Sequence, residues 1–66
     1  MAQRTIRHYT AMIRLPGIAP FCHRFTSNAP AGSHVQELAA GRRVILTLTD
    51  TPLNHGRFHA EHHDYL

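Results

Sequence analysis

Apolar and polar residues alternate along the first part of the chain. Between Arg4 and Leu15 the odd positions carry Tyr9, Ala11, Ile13 and Leu15, with Arg7 at the frayed start. The even positions carry Arg4, Ile6, His8, Thr10, Met12 and Arg14. A period of two with one apolar side predicts a strand half buried against a core. Pro16-Gly17 supplies a turn, and Ile18-Ala19-Pro20 extends it into a loop. A second strand is predicted from Phe21 to Ser27, with Phe21 and Phe25 on one side and Cys22, Arg24 and Thr26 on the other.

Asn28 to Gly32 reads as a linker and helix entry. Ser33 followed by Gln36 fits a capping box, while Asn28 as cap with Pro30 in the first turn is an alternative start. Val35, Leu38 and Ala39 then form an i, i+3, i+4 stripe, and Gly41 is the expected stop. Arg42 to Asp50 is the clearest strand: Val44, Leu46 and Leu48 alternate with Arg43, Ile45, Thr47 and Thr49. Residues 51–56 are turn-rich, and Arg57 to His63 reads either as a strand with Phe58 and Ala60 inward or as a short helix.

These elements predict a small α+β domain of ββαββ order, spanning 1–66 with frayed ends and with 55–66 open in conformation. Its sheet is expected to be mostly antiparallel, with one helix packed on one face. Tyr9, Ile13, Leu15, Phe21, Phe25, Val35, Leu38, Val44, Leu46, Leu48 and Phe58 would share the core. At 66 residues and 42% hydrophobic there is room for one core, and self-association as a homodimer would help it. No apolar run approaches the roughly 20 residues of a membrane span, and no secretory signal is visible.

Charge changes the picture. All seven basic side chains are arginine, against four carboxylates, for a net charge of +3. The guanidinium fork suits carboxylates and phosphates, although a GC-rich genome also favours arginine codons. Seven histidines would carry the charge from +3 to +10 on full protonation, the sum of 3 and 7, so binding to an acidic partner should strengthen in mild acid. A single cysteine, Cys22, forms no internal disulfide, and the expected setting is reducing and cytoplasmic.

With a helix on one face, the other sheet face would display Arg4, His8, Thr10, Met12, Arg14, Cys22, Arg24, Thr26, Arg43, Ile45, Thr47 and Thr49. Arginine and methionine are enriched at protein contacts, whereas a solvated face would use the same threonines for strand propensity. Tyr9, Phe21, Phe25 and Phe58 fall on the core side, which disfavours base stacking and sequence-specific single-strand binding. Contacts to a duplex backbone need charge rather than rings and stay open.

His55, His59, His62 and His63 lie within nine residues beside Glu61 and Asp64. Imidazoles so spaced can hold Zn²⁺, Ni²⁺ or Cu²⁺ weakly, yet the spacing matches no structural zinc motif, and a polar surface is the plain reading. Cys22 and His23 are neighbours that a strand turns to opposite faces, and no phosphate loop or paired carboxylates occur. An enzyme is not expected.

The expected function is a non-catalytic protein that docks Arg4, Arg7, Arg14, Arg24, Arg43 and Met12 onto a larger acidic protein or nucleoprotein, with no membrane partner. In size, charge type and element order the chain is similar to small anti-CRISPR proteins, a resemblance that no residue motif carries. It implies an inhibitor of host machinery encoded by a phage or mobile element. The alternatives are a transition-metal protein built on His55, His59, His62 and His63, and a duplex nucleic-acid accessory protein.

Overall fold

The computed structural model describes residues 5–63, and within them the chain is all-β. Five strands follow in order: β1 (Arg7–Ile13), β2 (Phe21–Ser27), β3 (His34–Ala39), β4 (Arg42–Pro52) and β5 (Arg57–His63). A single 3-10 turn, Asn54–Gly56, precedes β5. The strands form one mixed sheet of order β2-β1-β5-β4-β3, curled into a half-barrel. The pairs β1/β2, β4/β5 and β3/β4 are antiparallel, and the first and last strands are parallel neighbours at the centre.

The expected α+β fold with one packed helix is therefore corrected: residues 33–40 form no helix. Val35 and Ala39 keep their inward orientation, because a spacing of four satisfies a strand as well as a helix. The stripe spans only five residues, 35–39, below the ~12 at which an isolated helix becomes even marginal. β4 offers those residues a partner instead. Ser33 is not a helix cap; its carbonyl accepts the Leu48 N–H at 2.9 Å, and Gly32 N–H donates to Leu48 O at 2.7 Å. Ala40 and Gly41 have φ of 51° and 75°, so they form a two-residue hairpin turn with both central residues left-handed.

Other boundaries shift as well. The first strand begins at Arg7 and ends at Ile13, and the last element is a strand, which resolves the open choice at 57–63. Leu38 is corrected from core to surface, being 69% exposed on the outer side of β3. The buried set is Tyr9, Ala11, Ile13, Ala39, Val44, Leu46, Leu48 and Ala60, with Leu15, Phe21, Phe25, Val35 and Phe58 half buried against it. Ala11 and Ala60 are cross-strand partners in the parallel pair at the centre of the sheet. Small residues there leave room for the concave face to close on itself, which replaces the missing helix as the cover of the core. Tyr9 fills that space, stacked on Phe25 with centroids 5.5 Å apart and tilted against Phe58 at 6.2 Å.

The curl brings the two ends of the strand order together. β2 and β3 are the edge strands and are not hydrogen-bonded through their backbones, yet His23 Nε2 lies 3.0 Å from Glu37 Oε1. Both side chains point inward, His23 opposite Ala11 and Glu37 opposite Val44. One side-chain bond thus spans the mouth of the half-barrel. No helix among the described residues is long and apolar enough to cross a membrane.

Candidate docking surface

Alternation along each strand divides the sheet into a concave face and a convex one. The registers place Thr10 beside Arg24 and His59, Met12 beside Cys22, and Thr47 between His34 and Glu61 on the convex side. Ile45, paired with Gln36 and His63, completes a face of mixed polarity. Met12 is 39% exposed, and Cys22 is exposed beside it. The aromatic rings Tyr9, Phe21, Phe25 and Phe58 belong to the core side, as the alternation implies.

The arginines separate into two groups. Arg7 is not part of the convex face: its guanidinium carbon sits 4.4 Å above the Phe58 ring, and Nη1 donates to Asp50 Oδ1 at 2.8 Å. Asp50 first, with the Tyr9 hydroxyl assisting and burial opposing, holds the Arg7 guanidinium above its ordinary value. A cleft of about 400 Å³ opens beside this pair, lined by Thr5, Arg7, Asn28, Ala29, Pro30, Ala31 and Asp50. Its only cation already has a carboxylate, and no aromatic side chain lines it.

The second group is unpaired. Glu37 bonds His23, Asp50 bonds Arg7, and Glu61 Oε2 lies 3.0 Å from His59 Nε2, so all three described carboxylates have basic partners. Among the described residues Arg14, Arg24, Arg42, Arg43 and Arg57 have none. The registers set Arg14, just past β1, and Arg42 and Arg43, which open β4, at the same end of the sheet. Arg24 lies midway along the edge strand β2, opposite Thr10. The expected docking set is thus divided: Arg14, Arg24, Arg43 and Met12 remain available, Arg7 is engaged at the opposite end, and Arg4 lies outside the described residues. Arg42 was missed; its neighbour Gly41, read as a helix stop, is the hairpin turn that projects it.

The histidines disperse. His59 and His63 are on the convex side, and His63 Nε2 bonds the Thr47 hydroxyl. The His34 ring meets the His63 ring edge-on at 5.7 Å. His62 turns inward opposite Leu46, where its Nδ1 accepts the Arg14 N–H at 3.1 Å. That bond leaves the proton of the neutral ring on Nε2. His55 sits in the 3-10 turn with φ of 64°. The structure does not bring His55, His59, His62 and His63 together, and no three histidine, cysteine or acidic groups converge among the described residues. Comparison with protein-family models, with curated proteins and with solved structures finds no match to this chain.

Proposed function

We propose that this protein is a non-catalytic binding module that docks onto an acidic protein surface through the convex face and the arginine-rich end of its half-barrel. The observation that carries the reading is the pairing of charges. Every described carboxylate is engaged by a side chain of the same chain, Asp50 by Arg7 and Glu37 and Glu61 by histidines, and five guanidiniums among the described residues are left over for a partner. Arg14, Arg42 and Arg43 share one end, and Arg24 and Met12 extend the surface across the face. Forked donors beside exposed apolar groups, including Leu38 at 69% exposure, suit a carboxylate-bearing protein contact. Among the described residues no Phe, Tyr or Trp ring lies on this face, so single-stranded nucleic acid is the poorer fit. The element order that made the chain similar to small anti-CRISPR proteins included a helix, and inhibition of host machinery is not part of this reading.

The test is affinity capture from native cells with nuclease treatment, comparing the wild type with R14A/R24A/R43A. The three side chains are unpaired, so circular dichroism should show an unchanged fold. Each charge-assisted bond contributes about 1.5–3 kcal/mol when formed, and the variant should lose a nuclease-resistant partner by about tenfold or more. Capture that survives all three substitutions, or that disappears with nuclease alone, would reject the proposal.

A further inference from the structure

The mouth between β2 and β3 is the feature that the docking surface leaves unexplained. The His23–Glu37 bond joins β2 and β3 through their side chains, and no backbone hydrogen bond pairs these two strands. The outward-directed backbone groups of β2 and β3 have no partner strand, because these strands end the sheet on either side. Such edges are templates for an added strand.

We infer that the mouth accepts one extended segment of a partner protein, alternately small-apolar and acidic, which completes the barrel as a sixth strand. The inference rests on the docking reading and names the partner segment that would bind. Two observations set the alternation. On the inner side, Phe21 and Phe25 of β2 and Val35 of β3 are only half buried. Apolar side chains entering between them would complete their cover. The His23–Glu37 pair points inward beneath the mouth, so a small residue such as alanine suits the inward position above it. On the outer side, Arg24 stands on β2 next to His23 and faces no described carboxylate, so a carboxylate at the adjoining outward position of the added strand complements it.

The probe is a capped peptide, Val-Glu-Ala-Glu-Val, titrated into the ¹⁵N-labelled protein, with Val-Lys-Ala-Lys-Val as control. The expected result is amide shifts concentrated in Phe21–Ser27 and His34–Ala39, slowed exchange of those edge amides, and at least tenfold weaker binding of the lysine peptide. In R24E the preference between the two peptides should narrow or reverse. Shifts that avoid both edges, equal binding of the two peptides, or edge protection that grows with protein concentration alone would overturn the inference, the last by assigning the edges to a second copy. The two proposals fail separately. Arginine-dependent capture with no peptide insertion leaves the docking reading standing, and insertion without such capture leaves only the mouth.

Discussion

Tyr9→Phe removes one oxygen from the centre of the core and should stabilise the protein. The Tyr9 side chain is fully buried, and its hydroxyl lies within hydrogen-bond distance of no described group. Burying an unsatisfied hydroxyl costs about 1–3 kcal/mol on the scale of protein substitutions. The polarity of Arg7, which senses this hydroxyl, offsets part of that cost. Phenylalanine keeps the ring, and with it the stack on Phe25 and the tilted contact with Phe58. No cavity larger than the lost oxygen is left. The net expectation is about 1 kcal/mol of added stability, which in a domain this small raises Tm by about 4–8 °C. Urea and thermal unfolding followed by circular dichroism measure it. A loss of more than about 0.5 kcal/mol would refute the reasoning, because it would mean that the hydroxyl is satisfied in solution and that its bond is worth keeping.

Leu46→Ala should be the opposite case: Leu46 is fully buried opposite Val35 and His62, and its truncation should cost about 3 kcal/mol. A 66-residue chain has only about 3–10 kcal/mol in total, so the variant should be substantially unfolded by heating or mild urea, as circular dichroism would show. Ala40→Asn should add about 0.5–1 kcal/mol, since Ala40 is a non-glycine residue at φ 51° in a turn type that favours Asn-Gly; an unchanged or lower urea midpoint would contradict it. Calorimetry with Zn²⁺, Ni²⁺ and Cu²⁺ should give dissociation constants no tighter than about millimolar, because His62 faces inward while His59 and His63 face outward; micromolar binding that H62A abolishes would show that the end of β5 rearranges around an ion.

What was legible in the sequence was local. The strands around Ile13, Phe25 and Leu46 stand out because their alternation is long or rich in β-branched residues, and the division into inward and outward residues follows directly. Residues 34–39 were illegible because Val35 and Ala39 lie on one side under either periodicity. Gly41, with its positive φ, ends a helix or turns a hairpin equally well. Only the contact with β4 decides between them, and that contact is tertiary. The parallel pairing of β1 with β5 is a long-range match of Tyr9 to Phe58 and Ala11 to Ala60, which no local pattern announces. For the docking surface, alternation identified Arg24, Arg43 and Met12. It was silent on which arginines are already paired, because Arg7 and Asp50 meet across 43 positions of the chain.

The loss of the helix has a further consequence, which concerns the cost of an open sheet. A helix would have covered the core and left the sheet flatter; without it the sheet must curl, and five short strands leave two edges beside each other. Open edges invite pairing with other copies, and proteins blunt them with charge, proline or inward-pointing ionised groups. β2 carries Arg24 at its centre, with Pro20 before it and Pro30 three residues past its end. β3 has no proline and no arginine, and its one carboxylate, Glu37, points inward to His23. Glu37 therefore protects the β3 edge as well as bridging the mouth, and the two roles predict different things of Glu37→Val. Loss of the bridge alone would leave a protein of unchanged size with stability altered by about 1 kcal/mol or less, since the pair is partly solvated. Loss of edge protection would keep the fold, add apolar surface beside Val35, and drive association at micromolar concentration, visible as a concentration-dependent sedimentation coefficient. The second outcome is expected, with Glu37→Gln intermediate because it keeps a polar group over the gap. If E37V sediments as the wild type does at every concentration, β3 is shielded by something other than its inward carboxylate.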